Sequence, residues 1–198
     1  MNLDSAGLTA CATHRAGVGR GDDAGNRGGQ AEACPSGGGE LCWTLMRIVV
    51  LVGLPGSGKS TYLERLGVVG LSSDAIRQLL ADDATDQTIH DRVFETLRYL
   101  LRQRLALARP VTYIDATNLT PQERRPYIGI GAAFGCEVEA LYFDAPPDVC
   151  CERNAGRARV VPAEALAKMQ ERLTAPSTEE GFTRITRISH LDRPPSRA

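Results

Sequence analysis

The run Arg47-Ile48-Val49-Val50-Leu51-Val52 leads straight into Gly53-Leu54-Pro55-Gly56-Ser57-Gly58-Lys59-Ser60, and this junction constrains the fold more than any other stretch of the chain. An apolar run without alternation suits a strand buried on both faces, the normal situation in a parallel sheet covered by helices. The octet satisfies G-x-x-x-x-G-K-[ST] in full, and Thr61 carries it into a helix expected from Lys59 to about Leu66. Its glycines let successive backbone N–H groups curl round phosphate oxygens, and the following helix points its positive end at them. Gly53, Pro55, Gly56, Ser57, Gly58 and Thr61 are therefore expected around the phosphates of ATP. Lys59 is expected to reach the β- and γ-phosphates, and the Ser60 hydroxyl to ligate Mg²⁺.

Beyond that loop, short apolar runs alternate with longer helical stretches. Val68–Ser72 reads as a second strand, Asp74–Leu80 as a helix, and Thr88–Ala108 as another, with Ile89, Val93, Leu97 and Leu101 repeating every four residues. Val111–Asp115 is the third expected strand. Thr120-Pro121-Gln122-Glu123 is a capping box that opens a helix to about Phe134, and Pro126 should kink that helix because it removes a backbone donor. Val138–Phe143, helices near Pro147–Asn154 and Pro162–Leu173, and a short strand at Ile185–Ile188 complete the pattern. The fold class is α/β: a P-loop NTPase whose parallel sheet carries helices on both faces, with an arginine-bearing lid.

Composition breaks at Met46. Ten of the twenty glycines precede it, in a stretch with few large apolar residues, so residues 1–45 are expected to be disordered and 46–198 to form the domain. Two readings of that extension compete, a genuine disordered segment or an upstream start codon chosen wrongly with Met46 the true initiator, and the second is favoured. The first 45 residues hold three of 23 basic and five of 24 acidic side chains, which leaves 20 against 19 in the remainder. A polyanion would thus have to bind through a local cationic patch, and basic patches interleaved with aromatic residues are not evident. The six cysteines show no CxxC spacing, which argues against zinc and for free thiols in a reducing cytoplasm. No stretch approaches the roughly 20 apolar residues of a membrane span, and the N-terminus lacks the pattern of a signal peptide.

A phosphate loop identifies the donor and leaves the acceptor open. At the end of the second strand, where ligands meet such sheets, stands Ser72-Ser73-Asp74 with Arg77 one turn beyond. Residues i and i+3 share a helix face, so a carboxylate able to take a hydroxyl proton lies beside a guanidinium able to grip a phosphate. The same residues are compatible with Asp74 as a helix N-cap and Arg77 as a solvated surface group. Asp115, closing the third strand, is placed to organise Mg²⁺ or an active-site arginine. Arg153-Asn154-Ala155-Gly156-Arg157-Ala158-Arg159 puts three arginines in seven residues beside a glycine, which suits a mobile lid over the phosphates.

Taken in order, GLPGSGKST (53–61), SSDAIR (72–77), DATNLTPQER (115–124), RNAGR (153–157) and Val161-Pro162 before a helix resemble the 5′-hydroxyl polynucleotide kinases of bacteriophage and bacterial end-healing systems. The resemblance covers roughly Arg47 to Pro176. It implies that Asp74 is the general base, that Arg77 contacts the acceptor phosphate, and that Asp115 supports that arginine. It further implies that Arg153 and Arg157 contact the ATP phosphates, and that Arg159, outside the R-N-x-x-R frame, contributes less. The implied reaction is ATP- and Mg²⁺-dependent phosphorylation of a 5′-hydroxyl nucleic-acid end, RNA or DNA. Two other readings stand beside it: a kinase of a small-molecule or tRNA-linked hydroxyl on the same scaffold, and a nucleotide-gated binding protein without phosphoryl transfer.

Overall fold

In the computed structural model, which describes residues 46–156 and 159–189, five strands form one parallel sheet in the order β2-β3-β1-β4-β5. They are β1 (Arg47–Val52), β2 (Leu71–Ser72), β3 (Val111–Asp115), β4 (Glu137–Asp144) and β5 (Arg184–Ser189). The helices are α1 (Lys59–Leu66), α2 (Ser73–Ala81), α3 (His90–Ala106), α4 (Pro121–Phe134), α5 (Pro147–Ala155) and α6 (Ala163–Arg172). The extension 1–45 expected to be disordered lies outside the described residues.

The central strand explains its own sequence. Ile48, Val50 and Val52 of β1 face a core built with Ile76 of α2, Val93, Leu97, Leu101 and Leu105 of α3, and Tyr127 and Ile130 of α4. Val49 and Leu51 face the opposite side, against Leu63 of α1 and Leu141 and Phe143 of β4. Both faces of the strand are covered, so no polar alternation survives in it. Gly131 lets α4 settle closely on the sheet, since a Cβ there would stand 2.2 Å from Val138 Cγ2.

Several boundaries move for local reasons. The second strand starts at Leu71 because residues 67 and 68 terminate α1: Gly67 is left-handed, and the N–H groups of Gly67 and Val68 donate back to Glu64 and Leu63. Val69 is then 90% exposed, and pairing with β3 begins only at Leu71. Helix α3 starts two residues late because Asp86 Oδ1 accepts from both the backbone N–H and the hydroxyl of Thr88, which turns the chain before it can coil. Asp83 does the same to Thr85, and those bonds hold the exposed Asp83 carboxyl below its usual range. Pro126 sits inside α4, which remains one helix from Pro121 to Phe134. The capping box forms with a shift: Thr120 accepts from Glu123 N–H at 3.3 Å, but Glu123 reaches back one residue further, to Leu119 N–H, at 2.7 Å.

Strands β1 and β3 are neighbours, yet the helix after β1 lies on one face and the helix after β3 on the other. Their connections diverge at the C-terminal ends, and the crevice that opens there is where open α/β sheets bind ligands. No helix among the described residues is long and apolar enough to cross a membrane.

Candidate active site

The phosphate loop is held from below and from the side. Gly53 N–H donates to Thr117 carbonyl at 3.0 Å, and Asn118, at a positive φ of 47°, donates from its amide to Leu51 carbonyl at 2.7 Å and Ala116 carbonyl at 3.3 Å. The loop after β3 is thereby stitched to the end of β1. Beneath it, Leu54, Leu119, Cys150 and Leu166 form a small core. Gly56 lies so close to α5 that a Cβ would meet Cys150 carbonyl at 2.4 Å, and its φ of 82° excludes other residues independently. Burial pushes the Cys150 thiol above its ordinary range despite the nearby charges of Lys59 and Arg153.

Lys59 is 8% exposed and arches over the loop, donating to the carbonyls of Gly53 and Leu54 at 2.8 Å each and to Ser57 Oγ at 3.4 Å. Ser60 Oγ donates to Asp115 Oδ2 at 3.1 Å. A hydroxyl on the first helical turn and a carboxylate at the end of the neighbouring strand thus meet at one point, an oxygen-rich corner beside the phosphate loop.

Across the crevice, Ser72 is the N-cap of α2, its hydroxyl accepting from Ala75 N–H at 3.3 Å. Asp74 is therefore not the cap, and Arg77 is not a solvated group: it is 4% exposed, because its helix packs on α3 and the sheet. Arg77 NH1 donates to Asp74 Oδ1 at 3.1 Å. Arg159 NH1 donates to the same oxygen at 2.6 Å. Oδ2 of Asp74, which is half exposed, has no hydrogen-bond partner among the described residues, and neither has the buried Nε of Arg77.

The lid residues divide. Asn154 is buried and exchanges two hydrogen bonds with Val161, giving from its amide at 2.8 Å and accepting at 3.1 Å. Arg153 lies over the loop, its NH1 within 3.9 Å of where a Cβ on Gly58 would stand. Arg157 lies outside the described residues. Lys59, Ser60, Asp74, Arg77, Asp115, Arg153 and Arg159 all line one cleft of about 1100 Å³, continuous from the phosphate loop to the N-terminal end of α2.

Three residues of this region make contacts that their sequence positions do not announce. Arg159 falls outside the motif frame, and no local signal marks its bond to Asp74, 85 residues away. Asn118 and Asn154 stood inside quoted motifs, where their types, which suit a positive φ and side-chain-to-backbone bonding, were the available signal. Arg124 is also fully buried. It gives bidentate bonds to Glu180 at 2.7 and 2.8 Å and donates to the carbonyls of Asn118, Leu119 and Thr174, tying the post-β3 loop to the chain beyond α6.

Residues 48–176 match the model of a family described as an AAA domain. The chain is 25% identical over 146 residues to a bifunctional polynucleotide phosphatase/kinase of Schizosaccharomyces pombe, a match covering 71% of this chain and 33% of that protein, so it spans about a third of that relative's length. Among solved structures, a provisionally assigned kinase of Chloroflexus aurantiacus superposes with a TM-score of 0.58 at 16% identity, covering 73% of this chain and 85% of that one. A Janibacter sugar kinase gives 0.54 at 22% identity, covering 75% and 88%. At these identities the superpositions establish the fold.

Proposed function

This chain belongs to the AAA-domain family and is a P-loop kinase, and from that premise we propose that it transfers the γ-phosphate of ATP to the 5′-hydroxyl end of a polynucleotide, RNA or DNA. The observation that carries the reading is the Asp74–Arg77 pair: a carboxylate with one oxygen open to the cleft, beside a buried guanidinium with one unmet donor. That pair suits an acceptor whose hydroxyl and phosphate are close together, as they are at a nucleic-acid end. The likeness to the kinase-containing relative supports the same choice.

The donor side fits ATP with Mg²⁺. Ser60 and Asp115 supply two hard oxygen donors 3.1 Å apart, the type of ligand Mg²⁺ takes. When bound, the ion neutralises charge on the β- and γ-phosphate oxygens. The resemblance gave Asp115 the support of Arg77 as its duty; its contact with Ser60 favours the metal side instead. Lys59 would exchange the loop carbonyls it now holds for phosphate oxygens, and Arg153 would add charge from above. Asp74 Oδ2 accepts the proton of the attacking hydroxyl.

One observation favours a small phosphate-bearing acceptor as the second reading. Thr85, Gln87, His90 and Phe94 line part of the cleft and none is a permanent cation, so among the described residues the cations lining it are Lys59, Arg65, Arg77, Arg153 and Arg159. Incubating the protein with labelled ATP and a panel of 5′-hydroxyl oligonucleotides, nucleotides, nucleosides and sugars decides between them. Label on oligonucleotide ends well above every small acceptor is the expected result. Preference for a small acceptor overturns it.

A further inference from the structure

We propose that the acceptor's own phosphate releases the base: it draws Arg77 and Arg159 away from Asp74 Oδ1 and leaves the carboxylate free to take the hydroxyl's proton. The inference rests on the reading of Asp74 and Arg77 given above, and adds how the site tells a phosphate-bearing acceptor from a bare one.

Arg77 and Arg159 share the single Asp74 carboxylate, and the exposed Asp83 is a second acid close enough to act on Arg159. Both arginines are bound to the same oxygen, 3.1 and 2.6 Å away, an arrangement that wastes the forked geometry guanidinium groups use best. Arg77 is also buried with Nε unmet. A phosphate offers both groups several oxygens at once, and so a better partner than half a carboxylate.

Without that phosphate, protonating Asp74 cancels the charge that holds two arginines, and strands Arg77 in a buried site without a counter-ion, which is costly. With the phosphate in place, both remain paired while Asp74 changes charge. The acceptor O–H proton then passes to Asp74 Oδ2, and the acceptor oxygen bonds to the γ-phosphorus. The bond from that phosphorus to the β–γ bridging oxygen breaks, ADP departs with its electron pair, and Asp74 returns the proton to water.

The test uses a nucleoside and its 3′-monophosphate as acceptors, with native protein, Arg159→Ala and Arg159→Lys. Native protein should turn over the 3′-monophosphate faster by roughly 10- to 100-fold, the worth of one or two charge-assisted bonds, and mostly in kcat. Arg159→Ala should lower kcat for the 3′-monophosphate and raise it for the nucleoside, with Arg159→Lys between. Calorimetry without ATP should show the 3′-monophosphate binding more weakly to Arg159→Ala and the nucleoside unchanged. If Arg159→Ala lowers kcat on both acceptors equally, or alters only the KM for ATP, Arg159 is a donor-side lid residue and the inference fails while the kinase reading stands. Equal native rates on the two acceptors overturn it as well. If neither acceptor is phosphorylated, the acceptor reading itself falls and takes this inference with it.

Discussion

Arg159 reaches from the far side of the cleft to the same carboxylate oxygen of Asp74 that Arg77 holds from one turn along its own helix. Helix α2 and the segment that follows α5 therefore meet at this oxygen atom.

Asp74→Asn preserves shape and removes the proposed proton acceptor. Transfer should fall by roughly 10²- to 10⁴-fold, the usual cost of losing a general base, while calorimetric ATP affinity stays within about twofold. Unchanged turnover would remove Asp74 from the chemistry.

Lys59→Ala should abolish measurable transfer. Its bonds run to the loop's own carbonyls and to Ser57, so the fold should lose only about 1 kcal/mol. Activity assays and thermal unfolding read the two effects separately.

The Ser60–Asp115 contact is the basis for proposing that Asp115 serves the metal. Asp115→Asn should raise the Mg²⁺ concentration needed for half-maximal rate by about tenfold or more and leave the acceptor KM nearly unchanged. A shift confined to the acceptor KM would restore the arginine-supporting role instead.

Arg124→Ala leaves Glu180 without its buried partner and the carbonyls of Asn118 and Thr174 without a donor, while Leu119 carbonyl keeps Thr174 N–H. It should destabilise by roughly 3–5 kcal/mol in denaturant titration. A loss under about 1 kcal/mol would show that water replaces the guanidinium.

Two residues past the end of α3, Ala108 has a φ of 50°; its N–H donates to Leu105 carbonyl and that of Arg109 to Arg104 carbonyl. The left-handed position costs a residue with a Cβ about 1 kcal/mol. Ala108→Gly should therefore raise stability by some tenths to about 1 kcal/mol, read from the denaturation midpoint, with activity unchanged.

Much of this architecture is legible in the sequence because its determinants are local. The β1 run and phosphate loop declare a buried parallel strand and its ligand at once, and the four-residue repeat of Val93, Leu97 and Leu101 declares the face α3 buries. What the sequence hid depends on contacts between distant residues. Ser72 and Asp74 are both plausible caps in isolation, and only the bond from Ala75 distinguishes them. Arg77 resembles any helical surface arginine until α3 and the sheet cover it. Val68 and Val69 look like strand residues, yet the exit of α1 claims that segment first. For Asp115 the sequence offers Mg²⁺ or an arginine as the partner, and the contact with Ser60, 55 residues earlier, is what favours the metal in the reading proposed above.

The paired bonds between Asn154 and Val161 fasten both ends of one short segment to a buried side chain at the end of α5. An asparagine amide can answer a neighbour's N–H and its carbonyl at the same time, so one side chain replaces a rung of backbone pairing where no strand is present. Asn154 therefore decides where the chain leaving α5 turns towards α6, and Asn154→Ala would leave both polar groups of Val161 without that partner.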